Sequence, residues 1–502
     1  MTMLDTTVPE NAAERPETPG WSRRDLLAGA GFLAAFWGAQ AHAVPPPAPA
    51  DIDPSSLLNK LVRRLTFGVT QSELNLVRTM GYDAYLEYHL DWQSIDDSAV
   101  LAQMGNYPTL TLTYQQMLGV TGGTVQNECI EAAIIRAALS KRQFFERMVE
   151  FWTDHVNIEM NGDRLRRFKA IDDRDVIRPN ALGNFRDLIT ASAHSPAMLD
   201  YLDNNLSTAG NPNENYAREL MELHTLGVDG GYTQNDVIEV ARCFTGWQFW
   251  NDAQGALSGT FRYNSAVHDT GQKVVLGNVI PARSAAAGVQ DGADVLNILF
   301  NHPSTAAYVS KKLCRWLLGY DVPQGVVDSV AAAYTSTSGD IKSMIRAALQ
   351  PNNLAMASPK YKRPWHHFVS CMRVANTTIT TTSGMRSRLI SAGMPRFGWP
   401  TPDGYPDNPD YWVGLIIPRW NFGADLTNPG ITGFTLDTAG YFSALTTADQ
   451  MADKINSASF GDELTAPERD RIRDYLLPNT PTLTRQREAL GLAMAAPSFQ
   501  WY

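Results

Sequence analysis

One stretch constrains the fold more than any other. Over residues 124–158, "TVQNECIEAAIIRAALSKRQFFERMVEFWTDHVNI", apolar side chains recur at helical spacing. A chain that spends this much length on amphipathic helix has to bury one face of it against other elements. The same periodicity starts at "SSLLNKLVRRLTFGVTQSELNLVRTMGYDAYLEYHL" and dominates to about residue 250. Thr70 and Glu73 are spaced as the capping box of one helix, and Thr233 with Asp236 opens another. Pro196 splits "ALGNFRDLITASAHSPAMLDYLDNN" into two helices. Between about 251 and 290 the pattern changes. "GTFRYNSAVHDTGQKVVLGNVI" holds two short strand-like runs around Asp269-Thr270-Gly271, which predicts a small β-hairpin near 260–278. Helices resume at "ADVLNILFNHPSTAAYVSKKLCRWLLG" and continue through "WHHFVSCMRVAN". Residues 393–435 are rich in Pro, Gly and aromatics and read as a long irregular loop, before a last helix at "TRQREALGLAMAAP". The expected fold class is mainly α: a multi-helical globular body with a small β-hairpin and a long aromatic, Pro- and Gly-rich loop. Residues 55–502 form one domain, or two tightly fused ones.

The N-terminus addresses a different question. Arg23 and Arg24 precede a short, weakly apolar run from Leu26 to Ala39, and Ala41–Ala43 offers a small-x-small cleavage site. The run is too short to span a bilayer comfortably. The order Ser22-Arg23-Arg24-Asp25-Leu26-Leu27 resembles a twin-arginine signal. Residues 1–43 are therefore expected to be a leader, 44–54 ("VPPPAPADIDP") a Pro-rich linker, and the mature protein to be periplasmic or secreted through twin-arginine export. No later apolar run reaches membrane-spanning length. The net charge is −10, with no Lys/Arg run of the kind that binds nucleic acid. The four cysteines, Cys129, Cys243, Cys314 and Cys371, make no C-x-x-C motif and sit in apolar helical stretches, as buried free thiols do.

The chemistry concentrates in "NPNENYARELMELHTLGV", residues 211–228. On a helical wheel Glu214, Asn215, Arg218, Glu219 and Glu222 share a polar stripe, while His224 falls inside the apolar arc. Glu214, Arg218 and Glu222 form an i, i+4, i+8 ladder, which on an exposed helix contributes only a few tenths of a kcal/mol per pair. In a cleft, the same stripe would supply carboxylates for acid–base work, with Arg218 setting their pKa. Elsewhere, His155 lies at the edge of an apolar helix face, and His268-Asp269 sit in the expected hairpin turn. Brought together with Glu219 and Glu222, these three would make an N/O ligand set for a divalent metal. Arg178 is a candidate for holding an anionic substrate. Trp399, Trp412 and Asp403 of the aromatic loop suit sugar rings. No G-x-S-x-G, P-loop, dinucleotide or H-E-x-x-H pattern occurs.

The segments "PNENYARELMELHTLGV" and "YTQNDVIEVARCFTGW" resemble the signature of an uncharacterised bacterial family, the domain of unknown function numbered eighteen hundred. "FWTDHVNI", "HDTGQKVVLG" and the terminal "APSFQ" fit the same family, so the resemblance runs from about residue 55 to the end. It implies an exported protein, often paired with a co-exported sulfatase-like protein, and no established activity. The family usually shows an aromatic where this chain has His224, which directs attention to Glu214, Asn215, Arg218, Glu219 and Glu222 instead. The expected function is a carboxylate-based hydrolase or lyase acting on an extracellular polymer such as a polysaccharide. The alternatives are a non-catalytic binding or assembly partner of the co-exported protein, which would dock through the aromatic loop, or a metal- or redox-cofactor protein.

Overall fold

The computed structural model describes Trp37 and residues 57–502. Apart from Trp37, the expected leader (1–43) and linker (44–54) lie outside the described residues. The chain is mainly α-helical, with three two-stranded antiparallel sheets. No described helix is long and apolar enough to cross a membrane.

The helices close around two hydrophobic cores. The first runs from Leu61 to Leu354, and the second joins one face of the Gly122–Leu139 helix to the last third of the chain. The Gln143–His155 helix belongs to the first core and is buried on almost every face. Its periodicity suggests an amphipathic surface helix, but the polar side is answered inside the protein rather than by water. Glu146 pairs with Arg178, Glu150 with Arg363, and Arg147 with His366 and the Tyr502 hydroxyl. A helix whose charges all find internal partners can sit at the centre of a fold.

Local signals explain most element ends. Thr233 and Asp236 complete a reciprocal capping box, whereas Thr70 accepts from the Glu73 N–H and the Glu73 carboxylate turns inward to Tyr85. Pro196 opens its helix at the first position, where a missing N–H costs nothing. The four cysteines are buried and free.

Two expectations change. The strand-like runs of 260–278 do not pair with one another. Strand β1 (Trp247–Phe249) pairs with β2 (Phe261–Tyr263), and β3 (Lys273–Val275) with β4 (Asn278–Ile280). The tight turn is Leu276-Gly277, both with positive φ, which suits the twist of a two-residue hairpin better than Asp269-Thr270-Gly271. The third pair, β5 (Thr378–Ile379) with β6 (Phe434–Thr435), is also antiparallel.

The loop expected over 393–435 also contains helices, Pro409–Trp412 and the longer Ile416–Thr427. Pro418 sits in the first turn of the longer helix, where N–H groups have no intrahelical partner. Gly423 is there for contact: a Cβ would stand 2.8 Å from Met494 Cβ and 3.2 Å from the Gly491 carbonyl. The Leu483–Ala495 helix crosses at that point. Gly423→Leu should therefore lower stability by about 1–3 kcal/mol through overpacking, read as a fall in the denaturant midpoint at unchanged slope. An unaltered midpoint would mean that the two helices separate freely.

Candidate functional site

Asn213 caps the Glu214–Glu219 helix by accepting from the Asn215 N–H. The helix then widens into a π-helical stretch, Leu220–Thr225. There the Leu226 N–H donates to the Met221 carbonyl, five residues back, and the Thr225 hydroxyl donates to Leu220. The wheel drawn at α-helical spacing therefore holds only to Glu219. His224 is buried as expected, and burial pulls its pKa down to about 3.

The polar stripe divides in two. Glu214 and Arg218 form a 3.1 Å pair bridged by Gln234, and both side chains are more than a third exposed. Asn215 is exposed beside them. This half is the solvated ladder, and its pairing contributes little. Glu219 and Glu222 are half-buried, and Glu222 accepts from the Tyr232 hydroxyl at 3.2 Å. The Glu219 carboxyl is raised above its ordinary value, first by burial and then by the negative charges of Glu222 and Asp403. Asp403 also acts on Tyr201, Tyr308 and Lys312, so it links this half of the stripe to the neighbouring pocket.

The loop carrying Asp403 is pinned from three sides. Trp399 Nε1 donates to the Asp403 carboxylate at 2.9 Å, Asn157 donates to the carbonyls of Trp399 and Thr401, and the Tyr201 hydroxyl donates to Pro400. Gly404 has positive φ, and a Cβ there would stand 2.2 Å from the Asp154 carbonyl. Only glycine lets the loop lie directly on the end of the central helix.

Between that helix end and the loop lies a pocket of about 200 Å³, lined among others by Asp154, His155, Lys312, Arg363, Asp403 and Tyr405. Arg363 clamps the Glu150 and Asp154 carboxylates. Even so, burial leaves Asp154 above the ordinary carboxyl range, with Glu150 adding to the rise. His155 donates from Nε2 to the His224 carbonyl at 3.1 Å, which leaves Nδ1 as the lone-pair nitrogen with no hydrogen-bond partner. Burial, then Lys312 and the His224 ring, push its pKa well below the imidazole range. Lys312 makes no ion pair among the described residues. Burial draws its pKa down to about 8, against the opposing pull of Asp154, Asp403 and Asp407.

The remaining expected residues lie elsewhere. Arg178 is held by Glu146 and stacks over Phe145, so it is committed to packing. Trp412 is a core residue, donating to the Pro406 carbonyl at 2.8 Å. His268 faces Asp291 at 3.2 Å, beside Lys273 and Arg283, and Asp269 is bound by Arg242. This second network fastens the β3–β4 hairpin to the helices beneath it. The ligand set expected of His155, His268 and Asp269 is thus split between two places. Among the described residues no three His, Cys, Asp or Glu side chains are grouped to hold a metal ion.

Lys312 and Asp154 were not legible as site residues from spacing alone, though each left a signal. Lys312 falls at the edge of the apolar arc of Pro303–Leu317, beside Tyr308 and Trp316. Asp154 is the one half-buried position in the Gln143–His155 helix. A family model described as "Protein of unknown function (DUF1800)" matches residues 60–501, and no curated protein and no solved structure matches the chain.

Proposed function

The chain belongs to the DUF1800 family, and since that membership brings no activity, we propose one from the site itself: an exported hydrolase or lyase acting on an extracellular polymer such as a polysaccharide. One observation carries the reading. Glu219 is a carboxyl raised by burial and by two further carboxylates, Glu222 and Asp403, and Asp403 lines a pocket that holds an unpaired Lys312. Carboxyl groups made unequal by their surroundings are what acid–base cleavage of a glycosidic bond needs. Glu219, whose pKa is raised, gives its proton to the leaving oxygen. Glu222 or Asp403 activates water or abstracts a proton. Lys312 and the Tyr308 hydroxyl bind sugar hydroxyl or carboxylate groups. The reading as a docking partner is less well supported, because Tyr405, Trp412 and Trp420 pack inward and do not form an open aromatic face.

The test is a panel of neutral and uronate-bearing polysaccharides incubated with natively exported protein, with products read by mass spectrometry. A hydrolase adds water across the broken bond, whereas a lyase leaves an unsaturated end group. Depolymerisation that is lost in the Glu219→Gln, Glu222→Gln double variant is the expected result. Cleavage of no polymer, or equal cleavage by the double variant, would sink the proposal.

A further inference from the structure

Away from the pocket, four cations are buried with no side-chain carboxylate to pair them. Arg64, Arg147 and Arg419 are fully buried and Lys362 is 6% exposed, and none of the four makes a salt bridge among the described residues. Arg64 is satisfied by main-chain oxygens of Leu318, Ser358 and Tyr502. Arg419 donates from Nε to Gln500 and lies over the Tyr361 ring, but both of its Nη atoms have no hydrogen-bond partner. Lys362 Nζ lies over the face of Phe499, 3.9 Å from the ring centre, and burial pushes its pKa well below the ordinary lysine value. An unpaired charge in such surroundings is costly, and a guanidinium cannot relieve the cost by losing its proton.

Lys362 borders a small cavity of about 20 Å³, shared with Arg63, His366, Ser459 and Ser498. By volume this holds one water-sized occupant. Its polar wall is donor-rich. Arg147 donates to His366 Nδ1 at 2.7 Å, so the neutral ring carries its hydrogen on Nε2. The nearby carboxylates are already committed, Glu463 to Arg63 and Glu468 to Ser498 and Thr465. Lys362 also stands just before the Pro364–Val374 helix, whose positive end adds to the potential.

We infer that this cavity is a binding site for a monatomic anion of the halide class, held by Lys362 and His366 beneath the Arg147–Arg419 cluster. The occupant offsets charge on Arg147, Arg419 and Lys362, which make no salt bridge among the described residues. It sits apart from the carboxylate site and has no part in the chemistry proposed there.

The experiment uses bromide. Crystals grown in sodium bromide should show an anomalous peak in the cavity within reach of Lys362 Nζ. In solution, replacing gluconate by chloride or bromide at constant ionic strength should raise Tm saturably, and Lys362→Met should abolish the rise. In gluconate the variant should match or exceed the wild type, because it no longer buries an amino group that has no carboxylate partner. A cavity without anomalous signal overturns the inference, as does a wild-type Tm indifferent to the anion. The wild-type measurements stand even if the variant does not fold.

Discussion

Arg363→Met should cost about 3–5 kcal/mol of stability, because it leaves two buried carboxylates without their cation. Arg363 is 5% exposed and donates to both Glu150 and Asp154, whose side chains are 1% and 13% exposed. It also donates to the Tyr405 carbonyl, so the loop over the pocket loses an anchor in the same variant. The pH dependence has a definite sign. Asp154 already has a raised pKa in the folded protein, with Arg363 opposing the rise. Removing Arg363 raises it further, so the folded variant holds a proton over a wider range than the unfolded chain. Stability then falls as pH rises from the ordinary carboxyl range through the folded-state value. Urea unfolding should therefore show a deficit that is largest near neutrality and shrinks in mild acid. A deficit under about 1 kcal/mol at neutral pH would mean that water reaches these carboxylates and replaces the guanidinium.

Glu219→Gln should reduce polymer cleavage by about 10²–10⁴-fold, the usual contribution of a positioned general acid. The amide keeps the shape of the side chain but has no acidic proton to give. Glu219 is half-buried and makes no ion pair or side-chain hydrogen bond among the described residues, so the fold should be preserved. The wild type should lose activity as pH rises through the raised Glu219 pKa, because the proton donor is then gone. Residual activity of the variant should lack that limb. Binding should weaken separately above about 8, where Lys312 discharges. A variant that retains the wild-type pH profile would remove Glu219 from the chemistry.

The helices were legible because burial imposes its spacing on the residues that meet the core. The leftover polar stripe at 214–222 was legible as a stripe, but its division into a solvated half and a cleft half was not. That division depends on the π-helical stretch after Glu219, which is a matter of backbone bonding and has no residue-type signature. Pro418 and Gly423 marked a loop on composition, yet the first occupies a tolerant first turn and the second serves a helix crossing. The Gln143–His155 helix looked amphipathic because its partners, Arg178, His366 and Arg363, lie far along the chain. Asp403 approaches Glu219 only after a pinned loop has laid it there, and no local spacing encodes that meeting.

The Leu57–Leu65 helix has a consequence for how the protein is made. Asn59 donates to the Gly461 carbonyl, Arg63 to Phe460 and Arg64 to Tyr502, partners 402, 397 and 438 residues away. Synthesis proceeds from the N-terminus, so this helix leaves the ribosome long before these three partners exist. Its apolar face packs into the first core, but until residues 460–502 emerge Asn59, Arg63 and Arg64 lack these carbonyls. Closure of the fold thus waits for residues 460–502. A chain without residues 460–502 would leave those donors without these acceptors at its first described helix.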